Sequence, residues 1–175
     1  MSEPTPEFSR EIAIARISPS GIIEELDAKP AERTALAARF DLLELPALTA
    51  QLTLKPSGQE TIFVKGKIIA DIVQRCVVTL EPMSTHIDLA VDTVFLPAEQ
   101  HRVGAGSSHY DELDDEFEIF SNGKIDLGEM VAQHLGVTID PYPRKAGAEL
   151  PATEFGAKVE ERKPFAELVK GGKDE

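Results

Sequence analysis

The chain has 175 residues, with 31 Asp and Glu against 18 Lys and Arg, for a net charge of −13. That length fits one domain with room for a tail, and the charge counts against broad binding to an RNA backbone, where affinity comes from cations that displace counterions. A protein partner is the simpler expectation, a basic one gaining encounter rate from the acidic field. Cys76 is the single cysteine, which excludes an internal disulfide and a zinc cage built from thiolates. No apolar run approaches the roughly 20 residues needed to span a bilayer. Met1–Glu7 shows neither the basic nor the apolar region of a signal peptide, so a cytoplasmic protein is expected.

In chain order, Glu11–Ile17 alternates as a strand with Ile12 and Ile14 on one side, ended by Ser18-Pro19-Ser20-Gly21. Pro30 to Phe40 is alanine-rich and free of interior proline, which predicts a helix with Pro30 in its first turn. Three strands with two-residue alternation follow. Leu48, Ala50, Leu52 and Leu54 share one face of the first. Ile62, Val64, Ile68, Ala70 and Ile72 share a face of the second, against Lys65, Lys67, Asp71 and Arg75. Ile87, Leu89, Val91 and Phe95 point inward from the third. Gly66 marks a bulge or bend. One apolar and one polar face predict an antiparallel sheet, packed on one side and wet on the other.

From Pro97 to Leu113 the pattern dissolves into a loop, followed by six acids in the eight residues Asp111–Glu118. A short edge strand at 117–120 and a turn at Asn122-Gly123 come next. The second helix carries the clearest signals. Asp126 is an N-cap with Glu129 three residues on, and Leu127, Met130, Val131, His134 and Leu135 form the apolar stripe. Gly136 is read as its terminator, and Pro141 and Pro143 hold the chain extended beyond it. The fold class is therefore α+β: an antiparallel sheet of about four to six strands with two helices. Residues 1–9 are expected to be a flexible N-terminus, 10–145 a single domain, and 146–175 a flexible tail.

Nothing reads as an active site. Gly-rich phosphate loops, Ser/His/Asp arrangements and HExxH strings are absent, so no catalytic residue, cofactor or metal ligand is assigned. Cys76 shares the parity of Ile72 and Ala70 and is read as a small buried residue, and His134 as a hydrogen-bonded, half-buried one. The candidate binding residues are of four kinds. Arg75 faces solvent at a strand end. Asp114, Asp115 and Glu116 lie in the acidic run, which reads as a solvated loop, a docking surface for a basic protein, or a divalent-metal site. Tyr142, Arg144 and Lys145 sit on the proline segment, which is either a partner contact or a strap with Tyr142 packed down. Phe165 and Leu168 stand in the polar tail as a linear motif.

Two stretches carry a resemblance to a known family. One is Gln74-Arg75-Cys76-Val77-Val78-Thr79-Leu80-Glu81-Pro82; the other runs from Asp126-Leu127-Gly128-Glu129-Met130 to Asp140-Pro141-Tyr142-Pro143-Arg144-Lys145. In this order they resemble the YceD-type large ribosomal RNA subunit accumulation family, particularly its alphaproteobacterial branch, and Lys163-Pro164-Phe165-Ala166-Glu167-Leu168 looks like its Pro-Phe-Ala-x-Leu ending. The resemblance implies a non-enzymatic role in large-subunit biogenesis, with a ribosome-assembly protein or pre-large-subunit particle as partner. Many members carry Cys-x-x-Cys where this chain has Cys76 and Thr79, which puts any metal-dependent role in doubt. Two other readings of the residues stand beside it. One is a divalent-metal hydrolase or nuclease using the acidic run with His101 or His109. The other is a general acidic interaction module.

Overall fold

The computed structural model describes residues 6–58, 61–98 and 117–149. The chain divides into two units at the Lys145–Ala146 junction, and every element below belongs to the first. The strands are β1 (Glu11–Ala13), β2 (Ile22–Asp27), β3 (Glu44–Ser57), β4 (Thr61–Arg75), β5 (Pro82–Pro97), β6 (Phe117–Phe120) and β7 (Lys124–Asp126). The helices are α1 (Pro30–Arg39) and α2 (Leu127–Thr138). A five-stranded sheet runs in the order β2-β3-β4-β5-β6, and β1 pairs with β7 in a second, two-stranded sheet. The pairs β2–β3, β3–β4 and β4–β5 are antiparallel, and only the closing pair β5–β6 is parallel.

The alternation reads out as expected. Leu48, Leu52, Leu54, Ile62, Val64 and Ile68 are fully buried on the inner face. The outer face is wet, and cross-strand polar contacts lace it: the ion pairs Lys65–Asp92 at 2.6 Å and Lys67–Asp88 at 2.7 Å, and a hydrogen bond between His86 Nδ1 and Asp71 Oδ1 at 2.7 Å. Exposed pairs of this kind contribute little stability each. They keep the face solvated. α1 packs on β3, and α2 on β4 and β1. His134 bridges α2 to the sheet: its Nδ1–H donates to the Met130 carbonyl (2.9 Å), which leaves Nε2 to accept from the buried Thr93 hydroxyl (3.0 Å). The half-buried, hydrogen-bonded histidine of the sequence reading is thus observed.

Several expectations change. The first strand stops at Ala13, and Ile14–Arg16 form a 3-10 turn because the Ile14 amide bonds to Gly123 and Ile17 closes back on Ile14. β2 was not anticipated: in Ile-Ile-Glu-Glu-Leu-Asp only Leu26 is buried, so no apolar alternation announces it. Gly66 causes no bulge, since the register runs unbroken through it on both sides. Gly136 does not end α2, which continues to Thr138. It is small because a Cβ there would meet the Phe40 ring at 2.9 Å. The packed body also begins before Arg10: Phe8 is buried at 1% exposure, and the Arg10 amide donates to Asp126 Oδ1 at 2.7 Å.

One contact couples the α1 N-terminus to acid. Arg10 forks onto both oxygens of Glu32 at 2.8 Å, and the Lys29 amide adds a bond of 2.7 Å. The Arg10 hydrogen bonds, above all, bring the Glu32 carboxyl from 4.5 down to about 2. A depressed carboxylate stabilises the fold above its unfolded value, and that contribution fades as pH falls from 4.5 toward 2. Glu32→Gln should therefore flatten the acid limb of a stability-versus-pH curve in that window while leaving its shape near neutrality unchanged. An unaltered acid limb in urea titrations would show that this pair does not set it.

Candidate functional surface

The hairpin between β4 and β5 is closed by a turn whose backbone is tightly specified. The Cys76 amide donates to the Glu81 carbonyl and the Leu80 amide to the Cys76 carbonyl, both at 2.9 Å. Closing it puts Leu80 at φ +61°, in the left-handed region where a branched side chain is disfavoured by roughly 1–2 kcal/mol. Leu80 is nonetheless 62% exposed, so it recovers little of that cost by burial.

The segment after α2 lies against this turn. Gln74 Nε2 donates to the Asp140 carbonyl, and the Val77 amide to the Pro143 carbonyl, both at 2.9 Å. The Lys145 amide reaches Cys76 Sγ at 3.4 Å, and its ammonium pairs with Glu81 at 2.8 Å. Asp140 Oδ1 caps the bend by accepting from the Tyr142 amide. Prolines 141 and 143 supply no amide donors of their own, so the strap is held by its carbonyls and by the Lys145 amide. The two motifs far apart in sequence are one structure.

Cys76 is the knot between them. Its side chain is buried, as expected, but not as a plain apolar filler: Sγ accepts N–H from Thr79 and from Lys145, each at 3.4 Å. The Lys145 amide, then the Thr79 hydroxyl and amide, hold the thiol at about 6, with burial pulling the other way. The sulfur has no access to solvent, and its acceptor capacity is spent on holding backbone. Thr79 serves the turn itself, its amide on the sulfur and its hydroxyl accepting from the Glu81 amide. Among the described residues no cluster of three or more His, Cys, Asp or Glu could hold a metal ion.

Of the candidate residues, the fold brings Arg75, Tyr142, Arg144 and Lys145 to this one surface. Arg75 is exposed at the end of β4 and Arg144 on the strap, and neither pairs with a carboxylate among the described residues. Lys145 is engaged with Glu81. The strap is real, yet it is Pro143 that packs down, while Tyr142 stays 71% exposed. Val77 and Leu80 join Tyr142 as exposed apolar groups beside an open groove of about 550 Å³ whose walls include Phe40, Ile139 and Pro141. Of these two, Val77 shares the outward parity of Arg75, whereas Leu80 has the inward parity of Cys76 and only the turn geometry turns it outward. Asp114, Asp115, Glu116, Phe165, Leu168, His101 and His109 lie outside the described residues.

Residues 64–170 match the family model described as large ribosomal RNA subunit accumulation protein YceD, well over half of the chain. The chain belongs to the YceD family. The matched span opens in β4 and takes in the Cys76 turn, α2 and the strap; of the groove walls named above, Phe40 alone precedes it. No curated protein and no solved structure matches the chain. No helix among the described residues is long and apolar enough to cross a membrane.

Proposed function

We propose that this YceD-family chain supports accumulation of large-subunit ribosomal RNA by binding rather than by catalysis. It engages a protein or ribonucleoprotein partner of the pre-large-subunit particle in the cytoplasm, through the surface built by the Cys76 turn and the proline strap. The observation that carries this reading is Leu80. A leucine held at positive φ and left mostly exposed costs stability and fills no core, so its side chain is accounted for by a contact outside the chain. Around it stand the residue types that anchor interfaces, a tyrosine and two arginines that pair with no carboxylate among the described residues.

Leu80→Gly makes the reading testable because it moves two quantities in opposite directions. Glycine relieves the left-handed strain, so the fold should gain about 0.5–1 kcal/mol, less than the full strain because the unfolded chain becomes more flexible. Recovery of pre-large-subunit particles with the tagged protein should fall instead, and Tyr142→Ala should add to the loss. Full particle recovery by a stabilised Leu80→Gly variant would move the contact elsewhere. If the unaltered protein recovered no such particles, the binding role itself would fail.

A further inference from the structure

The sheet ends at β2, and no strand lies beyond it among the described residues. β2 pairs with β3 in perfect register over six residues, Ile22 with Leu54 through Asp27 with Thr49, with no bulge to twist the edge away. It contains no proline, glycine or lysine, the residues that most often blunt an edge. What it carries is acid: Glu24 on the inner side, Glu25 and Asp27 on the outer side. Ile23, also outward, is 66% exposed. Glu25, Asp27, Gln51 and Lys67 line an open depression of about 560 Å³ on the outer face beside this edge.

These acids sort partners by charge. Against a second copy of the same edge they would stand acid to acid, which disfavours self-pairing. Against an extended cationic segment they become ligands for its side chains, while the edge backbone before Asp27, whose carbonyl already accepts from Arg10 Nη2 at 3.3 Å, supplies the hydrogen bonds common to every added strand. Inner and outer neighbours also differ: Ile22 and Leu26 flank Glu24 inside, and Glu25 and Asp27 dominate outside. A strand that alternates apolar and basic residues matches both sides at once. We propose that the β2 edge binds an extended, lysine- or arginine-rich peptide as a sixth strand. The β2 strand itself lies outside residues 64–170, and the proposal does not depend on the Cys76 surface.

The test uses the full chain and an eight-residue peptide alternating lysine with valine. Binding should protect the β2 amides from hydrogen exchange. Glu25→Lys with Asp27→Lys should weaken it roughly five- to tenfold at low salt, with a smaller difference at high salt. Glu25→Gln with Asp27→Asn, the milder pair, should weaken it less and in the same direction. Two further peptides, N-methylated on the lysines or on the valines, separate strand addition from general attraction to an acidic protein. An added strand turns alternate amides toward β2 and the others to solvent, so one methylated peptide should lose binding and the other keep it. Equal behaviour of the two methylated peptides, binding untouched by the charge reversals, or a chain that sediments as a dimer through β2 would each overturn the proposal.

Discussion

Gly66→Ala is expected to be the most damaging single-methyl change in the molecule. A Cβ at residue 66 would lie 2.0 Å from the Gln51 carbonyl oxygen and 2.9 Å from the Leu52 Cα. Both are backbone atoms of β3, the strand directly paired there, so no flexible side chain can swing aside. β3 would have to move away from β4 at the centre of the sheet, where Leu52, Leu54, Val64 and Ile68 are all fully buried. Losses above about 4 kcal/mol are exceptional and need such a mechanism. Here the alternatives are a broken ladder or a strained one. Urea unfolding should place Gly66→Ala at least that far below the unaltered chain, or the variant should not fold. A change within about 1 kcal/mol would mean that the two strands lie further apart in solution.

The same glycine shows where sequence legibility ends. A glycine in an alternating strand announces that something is unusual, but bulge, bend and close approach leave the same mark, and only the register decides among them. Strands with a clean apolar row were readable because burial on one face of an antiparallel sheet imposes a period of two. That held for β3, β4 and β5. β2 was unreadable because an edge strand buries little: one leucine of its six residues is buried, and glutamate occupies an inward position. α2 was legible from its cap, for Asp126 accepts from the Gly128 and Glu129 amides as its position foretold. Glu129 was not: its side chain forks onto Arg39 of α1 at 2.9 and 3.0 Å, a tertiary pairing that no local spacing encodes.

The candidate surface was half legible for the same reason. Arg75, Tyr142, Arg144 and Lys145 were recognisable as exposed or extended residues from their own neighbourhoods. That residues 74–82 and 140–145 form one surface depends on contacts between residues more than sixty positions apart, such as Lys145 with Cys76. Leu80 could not have been singled out, since its significance is a backbone angle. Parity along β4 would have sent it inward.

Phe8→Ala should cost about 3–5 kcal/mol, the range for removing a buried aromatic, although composition alone would leave residues 1–9 loose. Phe8 is 1% exposed, lies in the main core cluster, and carries the Arg10 guanidinium over its ring at 4.6 Å. What seats it is Asp126, whose carboxylate receives the Ser9 hydroxyl and the Arg10 amide in addition to the two amides of α2. Asp126→Ala therefore removes more than a helix cap. The cap is worth about 0.5–2 kcal/mol, and loss of the two N-terminal bonds adds to it by loosening the segment that delivers Phe8 to the core. If this anchoring is the larger part, the two substitutions act on one event and their effects should fall short of additivity in a double-mutant cycle. Asp126→Asn, which keeps an oxygen acceptor at the cap, should be milder than Asp126→Ala. Strict additivity would reduce Asp126 to a cap. A Phe8→Ala cost below about 1 kcal/mol would show that the first described residues do not belong to the core.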